Sequence, residues 1–191
     1  MKRGIVAGSL LLSFFLTGCF GGDDSETNSA CSDPYKADAF SVCLPSGWNV
    51  LTKEELLKSG LPEDVAAAFQ GEAPISGQFP IVTVTSEILR EAMGTKDYSK
   101  ASIASVETLP GYEVSDRRRV QVSGEDAEIH IFHAQPTPDA PLQRFYQVSA
   151  ASNGIGYTFT AALPVASPKE AEEGIIGLLE SVTLSSPERE E

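Results

Sequence analysis

Hydrophobic and polar residues alternate along the second half of the chain, which is the pattern of half-buried β-strands. Two such stretches, residues 120–122 and 127–131, flank a Gly-Glu pair at 124–125 that suits a type II′ hairpin turn. Folding the chain there pairs Val120 with Ile129, so apolar residues meet across the two strands. The pattern therefore predicts a β-hairpin that turns at residues 124–125.

A second hairpin is predicted at Asn153-Gly154, because this dipeptide accepts the positive φ angles of a type I′ turn. The register pairs Val148 with Phe159. One face of this hairpin is apolar, and the other carries polar side chains, namely Gln147, Ser149, Thr158 and Thr160. Together with the first hairpin, it gives a run of four antiparallel strands.

Local signals predict the remaining elements. Thr52 and Glu55 have the spacing of a capping box, and an apolar stripe at helical spacing runs through the C-terminal segment. The predicted elements are a strand over 40–50, helices over 52–60 and 62–71, a strand over 79–87, a helix from 97 or 99 to 109, and a closing helix over 167–182. This order predicts one α+β domain, an antiparallel sheet of about five to seven strands packed with helices.

The N-terminus has the three parts of a secretory signal. Lys2 and Arg3 precede an apolar run over 5–16, and Leu16-Thr-Gly-Cys19 resembles a bacterial lipobox. We therefore predict a signal peptide over 1–18 and lipidation of Cys19, since acyl chains on that thiol would hold the protein in a membrane. An uncleaved anchor needs about 20 apolar residues, more than this run contains. A secreted protein with a structural cysteine is the other alternative.

Charge and polarity assign the flanking segments. Residues 20–30 are small, polar and acidic, so we expect 19–30 to be a flexible tether, 31–185 to be the domain and 186–191 to be a disordered tail. The full chain has a net charge of −13, and removing Lys2 and Arg3 with the signal leaves 12 basic and 27 acidic residues, a net charge of −15. Such a field repels phosphates, which excludes nucleic acid as an expected partner.

Two further cysteines, Cys31 and Cys43, are twelve residues apart. Outside the cytoplasm two such thiols pair readily, and a disulfide here would stabilise the fold by roughly 3 kcal/mol. One alternative is two independent small residues. The other is a catalytic thiol, which the lack of a nearby histidine disfavours. We predict the disulfide and an extracytoplasmic, lipid-anchored location. Phe20 is compatible with an outer membrane in a cell with two membranes, whereas the tether equally suits a cell with one.

The stretch FSVCLPSGW at residues 40–48, a strand that runs into Pro-x-Gly-Trp, resembles the opening of PsbP-like domains. The order of the elements agrees over residues 33–184, and the lipobox makes bacterial lipoproteins of the DcrB and LpqN type the nearest group. The resemblance implies a PsbP-like α/β sandwich and a non-enzymatic binding or accessory module of the cell envelope. It implies no functional residue, and Trp48 is expected to pack on the core.

The candidate chemistry is sparse. His130 and His133 are three apart on one strand, so they point to opposite faces and cannot share a metal. The predicted register puts His130 opposite Arg119 on the outer face, in a surface or edge position. No nucleophile, P-loop or dinucleotide motif is found, so we expect no enzyme activity, cofactor or metal and find no evident small-molecule substrate.

A partner surface is predicted on the outer face of the sheet, around Arg117, Arg119, Phe145 and Gln147. The arginines could serve an envelope protein, an anion or an anionic lipid, or they could form cross-strand ion pairs with acids such as Glu128, each worth under about 1 kcal/mol. The leading hypothesis is a membrane-anchored binding or accessory module. The alternative is a small-molecule or lipid carrier with a cavity between sheet and helices.

Overall fold

The computed structural model describes residue 31 and residues 33–58 and 64–185. The predicted signal peptide, Cys19 with its tether, and the tail over 186–191 lie outside these residues. In the part of the chain that is described, no helix is both long and apolar enough to span a membrane.

Within the described residues, ten strands and three helices follow one another. In chain order they are β1 (Pro34–Lys36), β2 (Phe40–Cys43), β3 (Trp48–Val50), α1 (Lys53–Lys58), β4 (Val65–Gly71), β5 (Ile81–Ile88), α2 (Thr95–Val106), β6 (Glu113–Val122), β7 (Glu125–Ala134), β8 (Gln143–Ser152), β9 (Ile155–Pro164), α3 (Lys169–Glu180) and β10 (Thr183–Leu184).

Seven of these strands form one antiparallel sheet in the order β3-β4-β5-β9-β8-β7-β6. The other three form a small sheet in the order β1-β2-β10. The predicted α+β class and antiparallel sheet are therefore confirmed. Because the large sheet begins with β3 and ends with β6, these two strands are its edges.

The second hairpin has the predicted turn and register. Asn153 and Gly154 have φ angles of 55° and 74°, as a type I′ turn requires. Val148 lies opposite Phe159, and both are buried. Strands β8 and β9 are therefore paired as their sequence pattern predicts.

The first hairpin turns one residue earlier than predicted. Ser123 and Gly124 have φ angles of 52° and 84°, so they are the central residues of a type I′ turn, and Val120 pairs with Ala127 instead of Ile129. Type I′ and type II′ turns both match the twist of the strands, and the type I′ turn forms here because Ser123 adopts the positive φ that its first central position requires. Because the register changes by two residues, every side chain keeps its predicted face.

The predicted helix over 62–71 is wrong, because β4 occupies that part of the chain. The run VAAAF at residues 65–69 has the composition of a helix, but Ala68 and Phe69 are fully buried and pair with β5. Pairing and burial in the sheet outweigh the helix propensity of alanine. The capping box before it is confirmed: Glu55 Oε2 accepts a hydrogen bond from Thr52 N at 2.7 Å at the start of α1.

The predicted strand over 40–50 is two strands in different sheets. The turn between β2 and β3 contains Gly47 with a φ of 75°, and Trp48 beyond it packs, half-buried, against the core. Cys43 at the end of β2 forms a disulfide with Cys31, with their Cα atoms 5.5 Å apart. The small sheet is thereby tied to the segment that precedes β1.

The core lies between one face of the large sheet and a layer made of the small sheet and α3. Phe40 of β2 meets Phe159 of β9 edge to face at 5.2 Å between ring centroids. The apolar side of α3 is buried there, and it comprises Ile175, Ile176, Leu178 and Leu179. Helix α2 packs on the opposite face of the large sheet, over β7, β8 and β9.

Candidate functional site

Hydroxyl groups hold α2 on the sheet. Thr95 Oγ1 donates to the Ala151 carbonyl and accepts from its amide, both at 3.2 Å. One turn further on, the Tyr98 hydroxyl donates to Glu87 at 2.8 Å. The face of the sheet that the sequence marks as polar is thus covered by a helix, and α2 divides it into two open grooves.

The first groove, here called the basic groove, lies between α2 and the β6–β7 hairpin and has a volume of about 560 Å³. Its cationic side chains come from both walls: Lys96 and Lys100 on α2, and Arg117 and Arg119 on β6. Lys96 and Lys100 share one side of the helix because they are four residues apart. The two arginines share one face of the strand because they are two apart.

Apolar and acidic side chains complete the basic groove. Ile103, Ala104 and Ala127 give it apolar surface, and its acids are Glu107, Asp126 and Glu128. The groove is therefore a mixed surface with four cations and three anions in a chain whose net charge is −13.

The ion pairs in the basic groove are long or solvent-exposed. Arg117 Nε lies 3.7 Å from Glu128 Oε1, and Lys100 Nζ lies 4.0 Å from Asp97 Oδ1 with both side chains largely exposed. Among the described residues, no carboxylate lies within 4.0 Å of the charged nitrogens of Lys96 or Arg119. The exposed Lys100–Asp97 pair contributes little to stability, so Lys96, Lys100 and Arg119 are available to a ligand.

The sequence predicts His130 in a surface or edge position, and this prediction is wrong. The side chain is fully buried at 0% exposure. The two-residue change of register puts it opposite Arg117 instead of Arg119. The segment after α2 then places Tyr112 over it, with the Tyr112 hydroxyl 2.9 Å from His130 Nε2. Burial, followed by the charge of Arg117, lowers the pKa of His130 to about 4, so the ring is neutral at pH 7.

The two histidines point to opposite faces, as predicted. His133 lies on the other side of β7, where Arg144 Nε donates to its Nε2 at 3.2 Å. Arg144 in turn pairs with Glu172 of α3. Neither the histidines nor any other described side chains form a group of three or more metal-ligating residues.

A row of rings runs along this face from His130. Phe132 stacks on His130 at 5.1 Å between centroids and on Phe145 at 5.2 Å. Tyr112 covers the row at 5.5 Å from Phe132. Phe145, a predicted partner residue, is therefore half-buried in an aromatic stack.

Gln147, the other predicted partner residue outside β6, lines the second groove. This groove has a volume of about 420 Å³ and lies between α2 and strands β5 and β9. The Gln147 side chain is buried, and its Nε2 donates to Thr160 Oγ1 at 3.4 Å. Of the four predicted residues, the structure thus brings only Arg117 and Arg119 together in one open groove.

Three residues of this region are not predicted from the sequence: Lys96, Lys100 and Tyr112. The four-residue spacing of the lysines was a usable signal, but only for a helix known to lie beside β6. Tyr112 has no local signal, because its contact with His130 depends on the path of the chain after α2. What the basic groove can do chemically is bind carboxylates or phosphates beside apolar groups.

The sequence matches no protein-family model and no curated protein. Several solved structures are similar to this chain, among them the three that follow. A Pseudomonas aeruginosa protein of unknown function is 14% identical with a TM-score of 0.52, covering 78% of this chain and 94% of its own. LpqN of Mycobacterium tuberculosis, described as involved in cell envelope biogenesis, is 13% identical with a TM-score of 0.54, covering 80% and 90%.

Another similar structure is the cyanobacterial PsbP of Synechocystis, 10% identical with a TM-score of 0.51, covering 80% of this chain and 92% of its own. The chain has a PsbP-like fold. The fold that the FSVCLPSGW stretch implied is therefore confirmed. At these identities the likeness extends to the PsbP-like fold alone.

Proposed function

We propose that this PsbP-like protein is a non-enzymatic binding or accessory module of the cell envelope, anchored outside the cytoplasm by lipid on Cys19. The observation that carries the proposal is the basic groove. It is open and apolar in part, and it presents cations without close carboxylate partners on a chain that is otherwise strongly acidic.

Two features support the extracytoplasmic location. The disulfide between Cys31 and Cys43 is typical of oxidising compartments. LpqN, a structural neighbour with this fold, is described as involved in cell envelope biogenesis. Both agree with the lipobox that ends at Cys19.

The chemistry around the basic groove favours binding over catalysis. Its nearest histidine, His130, is buried with its Nε2 beside the Tyr112 hydroxyl, so it does not face the groove as a free base. The titratable groups that do line it are lysines, arginines and carboxylates whose pairs are long or exposed. None of the three similar structures is described as an enzyme.

The layer between the large sheet and α3 is less suited to a ligand than the basic groove. Large side chains that are at most 1% exposed fill it, among them Phe69, Tyr146, Phe159, Leu163 and Leu178. A carrier with its cavity in that layer would have to displace this packing, which costs several kcal/mol. We therefore favour contact through the open groove over carriage of a small molecule.

The proposal is tested by site-specific photo-crosslinking in intact cells. A photoreactive residue replaces Ala104 in the basic groove, and a control replaces Lys53 on α1, both exposed positions. We expect discrete crosslinked adducts from position 104 in the membrane fraction and none from position 53. Cys19→Ala is expected to release the protein from the membrane. Identical crosslinks from both positions, or a Cys19→Ala protein that stays in the membrane, would contradict the proposal.

A further inference from the structure

We propose that the outer edge of β6, together with the basic groove beside it, binds an extended acidic peptide of a partner protein by β-strand addition. This inference rests on the proposed function, since it specifies the chemistry of the partner that the module binds. Four arguments support it: β6 is an open edge, its side chains alternate between the two faces, cations beside it lack close carboxylate partners, and charge disfavours a second copy or a lipid surface as the ligand.

The edge is long and open. Strand β6 has ten residues, it is the last strand of the large sheet, and no other described strand pairs with its outer side. Residues 113–119 are all exposed. Residues 116–122 pair with β7 without a break in register, so this part of the edge is regular and extended. Its outward backbone N–H and C=O groups are a template for a further strand, and the Arg117 amide, which donates to Asp116 Oδ1 at 2.8 Å, would exchange that bond for one to the added strand.

Side chains alternate between the two faces of the sheet along β6, so neighbouring arginines point to opposite faces. Arg117 and Arg119 face the basic groove, and Arg118 points to the other side of the sheet. A strand added to this edge alternates in the same manner, so every second side chain of the added strand meets the groove face. Lys96 and Lys100 line the opposite wall of the groove and face the same side chains. Carboxylates at alternate positions of the peptide therefore fit this site.

Three of the four cations, Lys96, Lys100 and Arg119, can take new partners at small cost. Lys96 and Arg119 have no carboxylate within 4.0 Å among the described residues, and Lys100 is paired with Asp97 only in solvent. Arg117 shares Glu128 at 3.7 Å, a distance without a direct hydrogen bond. Lys96, Lys100 and Arg119 therefore lose little on taking a peptide carboxylate, and the backbone hydrogen bonds of an added strand are new.

Other occupants fit less well. A second copy paired antiparallel about Arg118 would bring two sets of arginines together, which like-charge repulsion disfavours. An anionic lipid surface repels a chain whose net charge is −13. It also has no backbone groups that could hydrogen-bond to a strand edge. A short acidic peptide has both the backbone groups and the few carboxylates that the site can pair.

The test uses the full-length protein in detergent and a capped peptide that alternates glutamate and threonine. Binding is followed by calorimetry and by NMR shifts of the β6 amides. We expect saturable binding that weakens with ionic strength. Two control peptides are compared: one has glutamine in place of glutamate, and the other is N-methylated along one edge. Each should bind at least about tenfold more weakly. Equal binding of either control peptide would overturn charge recognition or strand addition, respectively.

Two double variants locate the site. Lys100→Glu with Arg119→Glu should weaken binding of the glutamate peptide by about tenfold or more, with retained far-UV circular dichroism. The control, Lys53→Glu with Lys58→Glu on α1, makes the same change in net charge and should leave the affinity within about twofold. Equal losses in the two variants would overturn the assignment of the site.

The alternative occupants give distinct results. Shifts of the β6 amides on adding phosphatidylglycerol to the micelles, with no response to the peptide, would replace the inference by a lipid contact. Concentration-dependent dimerisation through β6 would replace it by self-association. Groove-specific crosslinks in cells without peptide binding in vitro would overturn this inference and leave the proposed function standing.

Discussion

The hydroxyl of Tyr112 lies 2.9 Å from Nε2 of His130. Tyr112 belongs to the segment that follows α2, and this segment covers the histidine. The histidine is fully buried, and the Glu128 carboxylate approaches its other ring nitrogen no closer than 3.7 Å. Burial therefore opposes protonation more than the carboxylate favours it, and Arg117 adds to the effect, so the pKa of His130 is lowered to about 4. The ring is thus neutral at pH 7 because it is buried, and Tyr112 is one of the residues that pack on it.

Acid should destabilise the fold through His130. In the unfolded chain the ring has its ordinary pKa of about 6.5, so below that pH the unfolded state binds a proton that the folded state does not bind until about pH 4. Between about pH 7 and about pH 5 the free energy of unfolding should fall by about 2 kcal/mol from this group. Urea denaturation at both pH values measures the change.

The control for this prediction is the second histidine. His130→Gln should remove most of that pH-dependent loss, although it lowers stability at pH 7, whereas His133→Gln should leave the loss in place. An NMR titration that gives His130 a pKa near 6.5 in the folded protein would contradict the burial argument.

The contact of α2 with β9 depends on a glycine. A Cβ atom at Gly156 would lie 2.3 Å from Cζ of Tyr98, so Gly156→Ala must displace the tyrosine ring. We expect a loss of about 1–3 kcal/mol in the free energy of unfolding, the usual cost of overpacking. Thermal and urea denaturation provide the measurement.

Two variants make this test specific. Gly177→Ala in α3 has open space around the new methyl group and should be neutral or stabilising by up to about 1 kcal/mol. Tyr98→Ala combined with Gly156→Ala should cost less than the sum of the two single changes, since the clash is gone. Strict additivity would mean that the two residues do not touch.

The reassignment of residues 65–71 to a strand predicts a core role for Phe69. Because this side chain is fully buried in β4, Phe69→Ala should cost about 3–5 kcal/mol. Leu57 on α1 is 62% exposed, so Leu57→Ala should change stability by less than about 0.5 kcal/mol. Comparable losses in the two variants, measured by urea denaturation, would be inconsistent with the strand.

The disulfide should stabilise the domain measurably. It joins residues twelve apart, and closing such a loop is worth about 3 kcal/mol in the chain-entropy model. Reductant should therefore lower the melting temperature of the wild type, while a variant with both Cys31→Ser and Cys43→Ser should melt at the lower temperature with or without reductant. A wild type that melts at the same temperature in reductant would show that the bridge is not formed in the protein.

Features set by neighbouring residues could be predicted from the sequence. The β8–β9 hairpin follows from Asn153-Gly154 and its alternating flanks, and the start of α1 follows from the Thr52 capping box. Features set by distant contacts could not. Helix α2 begins at Thr95, two residues before Asp97, the earlier of the two predicted starts. The Thr95 amide donates to Glu125 Oε2 at 2.9 Å, and Glu125 belongs to the β6–β7 hairpin.

The same distinction explains the candidate site. Arg117 and Arg119 were found because charge and strand alternation are local properties. Gln147 and Phe145 share a face of the sheet with them, but α2 crosses that face and leaves Gln147 in the second groove, and Phe145 stacks on Phe132. Only the tertiary position of α2 shows that Lys96 and Lys100 belong with the arginines.

The central claim is that the protein works by contact through the basic groove, and crosslinking in intact cells tests it most directly. A photoreactive residue at position 104 is compared in the wild type, in Lys100→Glu with Arg119→Glu, and in Lys53→Glu with Lys58→Glu. We predict discrete envelope adducts in the wild type and in the α1 variant, with a loss of about tenfold in the groove variant. Adducts of equal yield in all three proteins would contradict the claim.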